Sequence, residues 1–396
     1  MNAATMPHRP DPVKPSPFPR RIVFVRQHFT RFGGAELILD RTISAMHRRG
    51  VPLALLGRAW RERKDIEFIR CDPPRFPRFL RERRFANAAC RRLAEERDAL
   101  VQSHERMPCC DIFRAGDGVH AAYLKRRLQG ASVVARTALM LHPFHRTVLA
   151  LEREMFASPR LKAVIVNSKM VADEVTSHFG FPAARIHLIP NGIDLARFHP
   201  DVRGRFREAV RARLGTDKAR PAILFVGSGY KRKGLGAAIA ALAASKLDAE
   251  LWVVGSDSRP AAYAAMTERL GIPASRLRLI GPVDDPLPYY AAADVLILPS
   301  VYDPFPSTAL EALACGLPVV TSTGCGARDT VAELDPRLVR DPADIAGMAE
   351  AIRIALDLAA RPDTLGRARS IASGYDIEQM VERMLTLYSA LAETAA

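Results

Sequence analysis

Four short segments place chemistry-bearing side chains where a strand should hand over to a helix. The first is Gly33-Gly34, a few residues after the apolar run Arg21–Val25. Two glycines let backbone N–H groups approach an oxyanion, and a helix starting there adds partial positive charge. The spacing is not Gly-x-Gly-x-x-Gly, which disfavours a dinucleotide. A tight turn from strand to helix would use the same residues. The second segment, Gly227–Gly234, carries Lys231, Arg232 and Lys233 between glycines. A guanidinium fork and a compact ammonium suit a diphosphate. Leu235 follows Gly234, so this is not a Walker A loop; a solvated charge run is the plainer alternative.

The third segment, Tyr302–Val320, holds Asp303 and Glu311 with seven residues between them. A carboxylate accepts two hydroxyl hydrogen bonds, so such a pair suits a polyol such as a ribose or hexose. Phe305 lies between the two acids. Ser307 and Thr308 begin the helix that carries Glu311, and their hydroxyls and exposed N–H groups favour phosphate oxygens. An ordinary helix cap with a surface glutamate would look similar. The fourth segment, Asp111–Leu128, offers Asp117, Gly118 and His120 at a loop after a strand. Asp and His serve as acid, base or hydroxyl-binding groups, although Asp-Gly is also a common turn.

These segments need a frame. Runs such as Arg21–Val25, Val51–Gly57 and Ala163–Ser168 read as strands buried on both faces, with a helix over 37–50 between the first two. In the second half, Ala222–Gly229, Glu250–Ser256, Leu277–Val283, Val295–Ser300 and Leu317–Ser322 alternate with helical stretches. The pattern predicts an α/β protein of two Rossmann-like doubly wound domains facing across a cleft, with ligand at the carboxyl ends of the strands. The divisions expected are a disordered Pro-rich leader (1–20), a first domain (21–200), a second (201–375) and a terminal amphipathic helix (376–396). A polar, Arg-rich stretch (201–220) separates the halves. Residues 60–160 otherwise read as helical and irregular.

Composition agrees with a soluble globular protein of this size. The 396 residues are 48% apolar and 26% charged, which excludes wholesale disorder, collagen and a disulfide miniprotein. No run of 18 apolar residues occurs and the N-terminus lacks a signal-peptide core, so a cytoplasmic location is expected. The six cysteines read as reduced, mostly buried thiols without zinc spacing. The net charge is +15 and uneven: residues 1–200 carry 35 Lys/Arg against 19 Asp/Glu, residues 201–396 carry 23 against 24. The first half therefore expects a polyanionic partner. Basic and apolar residues interleave over Arg75–Phe85 and Ala121–Leu141, which suits peripheral contact with anionic lipid. No helix-turn-helix, zinc-finger or RNP pattern supports nucleic acid.

Taken together, "FGGAE", "VNS", "IPNGID", "VGSGYKRKG" and the acid-x₇-Glu helix resemble family 4 of the retaining glycosyltransferases, over roughly residues 20–390. Within that family the Arg-Lys-Gly run and Asp117 are similar to the lipopolysaccharide core glucosyltransferases that act on heptose. The resemblance implies a GT-B fold and transfer of a hexose, glucose foremost, from a nucleotide-diphosphate sugar such as UDP-glucose to a glycolipid core on the cytoplasmic face of the inner membrane. It implies Gly33 and Gly34 near the donor phosphates, and Arg232 and Lys233 on the diphosphate in place of a metal, with no other cofactor. Asp303 would hold the donor sugar, Glu311 the ribose, and the backbone of Gly281-Pro282-Val283 the base. Asp117 and His120 would face the reacting centre or acceptor. One residue departs from the family, which has Glu where this chain has Asp303, an arm shorter by ~1.5 Å. Transfer to exopolysaccharide, capsule or a small acceptor, and a non-catalytic sugar-nucleotide sensor, are the alternatives.

Overall fold

The computed structural model describes residues 21–29, 34–60, 63, 65–96, 98–129 and 132–393. The leader (1–20) and Gly33 lie outside them. Two all-parallel sheets organise the chain. The first contains β1 (Ile22–Val25), β2 (Leu53–Gly57), β3 (Glu67–Arg70), β4 (Leu100–Ser103), β5 (Ile112–Arg114), β6 (Ala163–Val166) and β7 (Ile186–Leu188) in the order β3-β2-β1-β4-β5-β6-β7. The second contains β8 (Ala222–Val226), β9 (Glu250–Val254), β10 (Leu277–Gly281), β11 (Val295–Leu298), β12 (Val319–Ser322) and β13 (Val339–Arg340) in the order β10-β9-β8-β11-β12-β13. Each is doubly wound. The order reverses beside β1 in the first lobe and beside β8 in the second, and ligands bind at the carboxyl ends of strands at such a reversal.

The central strands β1, β2, β8, β9 and β11 are buried along their whole length. Helices on both faces require this, and it explains their unbroken apolar sequence. At the edge, β3 buries only Ile69. Its sequence, EFIR, has no apolar run, so this strand hides within the stretch that reads as irregular; β4 (LVQS) does too.

The Arg-rich stretch after residue 200 is not a plain separator. It forms a helix, Val202–Leu214, clamped to the second lobe. Arg207 and Arg211 donate to Asp294 at 2.7 and 2.6 Å, and the second carboxylate oxygen of Asp294 accepts the Ala222 N–H at the start of β8.

The cysteine reading needs one correction. Cys90, on the helix Arg81–Leu93, and Cys109 form a disulfide. Cys71, Cys110, Cys315 and Cys325 are free and buried. The bonded pair has a sequence separation of 19, and nothing in that spacing announces it.

The last helix, Ile377–Glu393, leaves the second lobe and covers the first. Met380, Val381, Met384, Leu387 and Tyr388 join the core that holds Ile22, Phe24, Leu55 and Ile43. Tyr388 also donates to the buried Gln102 amide oxygen at 2.5 Å. The crossing is tight: Ile193 N–H donates to Tyr375 O and Ile377 N–H to Ile193 O, at 2.8 and 3.1 Å. Truncating a buried methionine of this kind costs about 2–5 kcal/mol. Met384→Ala is therefore expected to destabilise the first lobe by that amount, measured as a lower midpoint in denaturant unfolding followed by tryptophan and far-UV signals.

Candidate active site

In the second lobe, β8 runs into Gly227-Ser228-Gly229 and one short helix, Tyr230–Lys233, where the sequence suggests an open loop. Left-handed Gly229 and Gly234 bracket it. Gly234 is obligatory for a second reason: a Cβ there would sit 1.9 Å from the Pro299 carbonyl oxygen just past β11. That close approach brings the cations of one strand end onto the acid of the next. Lys233 Nζ lies 2.5 Å from Asp303 Oδ2, and Arg232 Nη1 lies 3.8 Å from the same oxygen and 3.3 Å from Tyr302 O. Arg232, Lys233 and Asp303 thus meet at the sheet reversal. Asp303 is buried and Arg232 is exposed, its side chain 42% accessible. Lys231, the third cation of the motif, points to solvent.

Glu311 sits one turn into the helix Ser307–Ala314, and the Tyr290 hydroxyl donates to it at 3.0 Å. Burial pushes its carboxyl above the ordinary range, opposed by Arg41 on the first helix of the other lobe and by Arg197. Ser307 and Thr308 are the first residues of that helix, and Pro306 precedes them, so neither hydroxyl is a side-chain cap. Thr308 Oγ1 is buried without a hydrogen-bond partner. Phe305 is buried against Tyr375. Gly281 ends β10 with φ 85°, and its carbonyl accepts from Gly255 at 2.9 Å; Val283 follows, partly buried.

The first lobe answers with an acid-rich cluster. Arg26, immediately after β1, donates to Asp117 at 2.7 Å and to Glu36 at 2.8 Å, and lies 3.8 Å from Glu105. Burial works against the charge on Asp117, but Arg26 and Arg106 hold its carboxyl below the usual range. Gly34 opens the first helix, exposed. His120 starts the helix His120–Arg127, and its N–H and that of Ala121 both donate to the buried Glu152. The His120 ring meets His145 at 3.1 Å. Burial, then Arg106 and His145, drives His120 down to about 3, so it is a neutral imidazole at physiological pH. A cavity of about 190 Å³ opens beside it, with Glu82, Glu105, Arg106 and His120 on one side and Phe85 and Phe144 on the other.

Sequence reasoning missed Arg26, Arg106 and Glu152, which hold Asp117 and His120 in place. It also missed the partners of two motifs. Ser168, of "VNS", donates to Pro304 O at 2.8 Å, and Asn191, of "IPNGID", donates to Phe305 O at 3.0 Å. Both motifs belong to the first lobe and grip the acid-bearing loop of the second. Their recurrence after strand ends was the available signal, but the partner segment lies more than a hundred residues away.

Comparison with known proteins bears on this geometry. Residues 32–197 match "Glycosyltransferase Family 4" and residues 206–369 match "Glycosyl transferases group 1". The chain is a glycosyltransferase. This glycosyltransferase is 26% identical to the lipopolysaccharide glucosyltransferase WaaG of Escherichia coli over 343 residues, covering 85% of this chain and 89% of that one. The crystal structure of WaaG superposes with a TM-score of 0.80 at 25% identity, over 93% and 99% of the two chains. The fold is accordingly GT-B. The lipopolysaccharide core glycosyltransferase LpsE of Rhizobium meliloti is 26% identical over 82% of this chain and 86% of its own. A D-inositol 3-phosphate glycosyltransferase of Geodermatophilus obscurus is 33% identical, over 59% of this chain and 53% of that protein.

The histidines make stability depend on pH. Burial, with Arg114 and Arg26, holds His104 well below its ordinary range, and His120 and His145 are lowered as well. In the unfolded chain they take protons near 6.5, whereas the folded chain resists. Their contribution is complete above that value and lost as pH falls below it. Thermal unfolding is expected to shift to lower temperature between about pH 7 and about pH 5, and His104→Gln to flatten that dependence.

Proposed function

We propose that this glycosyltransferase moves a hexose, glucose foremost, from a nucleotide-diphosphate sugar to a lipopolysaccharide core acceptor, with retention at the anomeric carbon. The observation that carries this reading is the meeting of Arg232, Lys233 and Asp303 at the sheet reversal of a cleft whose opposite wall bears Asp117. Similarity to WaaG along nearly the whole chain supports the substrate class.

Sugar transfer develops negative charge on the leaving phosphate and positive charge on the anomeric carbon. Two cations share one carboxylate in the second lobe, so an anion is drawn there; Arg232 takes phosphate oxygens as a fork and Lys233 as a point charge. In this reading Gly33 and Gly34, with Ser307 and Thr308, take donor phosphate oxygens, and the unpartnered Thr308 hydroxyl suits such an oxygen. Asp303, fixed by Lys233, takes hydroxyls of the donor sugar. Glu311 takes the ribose hydroxyls, and the backbone at Gly281 and Val283, with Phe305 behind, borders the base. In the first lobe, Asp117 faces the reacting centre with its charge retained, and His120 lines the acceptor cavity as a neutral donor or acceptor. In this reading Arg232 and Lys233 neutralise the diphosphate, and no divalent ion is required.

Peripheral contact with anionic inner-membrane lipid completes the proposal. The helix Val133–Leu141 is exposed on nearly every side, with Val133 and Val134 77% and 80% accessible, close in sequence to Lys125, Arg126 and Arg127. Among the described residues no helix is long and apolar enough to cross a membrane. An apolar helix beside cations suits a lipid headgroup region.

The test is a panel of nucleotide sugars with truncated lipopolysaccharide core, inositol 3-phosphate and soluble glycans as acceptors. UDP-glucose with the core acceptor is expected to give product; product only with inositol 3-phosphate or a soluble glycan would replace the acceptor assignment. Arg232→Ala and Lys233→Ala are each expected to lower kcat by about 10²–10³. Wild-type rates in both would remove the diphosphate assignment.

Glu311 supplies a pH signature. Its carboxyl is raised by burial, so it becomes neutral as pH falls through a value above that of an ordinary glutamate. A neutral acid accepts fewer hydroxyl hydrogen bonds. Donor KM is expected to rise on acidification, and Glu311→Gln to raise KM at every pH while abolishing that limb, as read from KM against pH.

A further inference from the structure

Tyr302 belongs to the second lobe by sequence and to the first by packing. It follows β11 and precedes Asp303, yet its ring is 2% exposed within the apolar cluster of Phe85, Phe113, Val119 and Val171. Its hydroxyl accepts the Val119 N–H at 2.9 Å and donates to Glu174 Oε2 at 2.7 Å. Gly118 makes room for it: φ there is +72°, and a Cβ would lie 2.2 Å from the Tyr302 oxygen. Backbone on one side of this residue accepts Arg232, and the next side chain is the Lys233 partner. On the other side, Gly118 adjoins Asp117, and the Gly118 carbonyl accepts Arg106 at 3.0 Å.

We propose that Tyr302 is a positioning residue: a strut that sets the distance between the Asp303–Lys233 face of one lobe and the Asp117 face of the other. The hydroxyl reads the first lobe at two points, the Val119 N–H of the 117–119 loop and the Glu174 carboxylate on the helix Lys169–Phe179. Reacting groups on two lobes reach attack distance only if the gap is set to within a fraction of an ångström, and a misplacement of about 1 Å costs about 10²-fold in rate. Tyr302 touches neither reacting atom in this account; it acts through the two loops it joins. The inference rests on the sugar-transfer reading above for its kinetic arm only.

Tyr302→Phe keeps the ring and removes the hydroxyl. The expected result is a fall in kcat of about 10- to 100-fold with donor KM within about two-fold of wild type. Glu174→Gln keeps an oxygen acceptor for the hydroxyl and is expected to retain most of the rate, whereas Glu174→Ala is expected to lose it. The second arm needs no turnover. Because the four free cysteines are buried, spin labels can be carried on Asn87→Cys and Asp248→Cys, one on each lobe. Electron–electron distance measurements are expected to give a broader interlobe distribution in Tyr302→Phe than in wild type. An unchanged distribution together with unchanged kcat, or a loss carried by donor KM instead, overturns the strut. A wild-type enzyme inactive on every donor, with the distribution still broadened by Tyr302→Phe, overturns the transfer reading and leaves the strut standing.

Discussion

Two cations share a single carboxylate at the carboxyl ends of β8 and β11, and the remainder of the cleft is arranged around that imbalance. Lys233 is paired with Asp303, and Arg232 stands at the edge of the pair, partly open to solvent. Such a grouping attracts an anion more strongly the less water reaches it. Across the gap the polarity reverses, because Glu36, Glu105 and Asp117 converge on Arg26. In the proposed transfer, departing phosphate and electron-poor sugar carbon would meet opposite local charge. A cleft polarised in this sense favours separation of a glycosyl cation from its leaving group before any side chain moves a proton.

The backbone makes this polarity possible. Gly234 lets the β8 turn press against the Pro299 carbonyl, and Gly118 lets the first lobe close over Tyr302. A side chain at either place would separate loops that now touch. Ser168 and Asn191 extend the same contact along the carbonyls of Pro304 and Phe305. The acid-bearing loop is thus held by both lobes, although its sequence belongs to one.

How much of this was legible depends on whether the information was local. The second sheet was, because strands buried on both faces are apolar throughout and their glycine-flanked ends stand out. Edge strand β3 and central strand β4 were not, since EFIR exposes its polar side chains and LVQS buries a glutamine and a serine. Arg232, Lys233 and Asp303 were legible as types, but their convergence depends on a β8–β11 adjacency that skips two strands. Tyr302 was invisible for a related reason: an aromatic residue beside an acid reads as local company, and only the other lobe explains it. Total charge did not show the local arrangement. The first half carries the positive excess, yet its face toward the cleft is acid-rich. The excess is carried by arginine-rich segments such as Arg75–Arg84 and Lys125–Arg127.

The final helix has a consequence for the ancestry of such enzymes. Because the chain crosses between lobes twice, near Ile193 and again near Asp376, the second lobe is one contiguous stretch set within the first, whose closing helix comes from beyond it. A recombination event that exchanged one sugar-nucleotide lobe for another would need two breakpoints and would have to leave the closing helix with its original host. Exchange of the second lobe as a module is therefore the more demanding change, and substitution of residues around the cleft the simpler one.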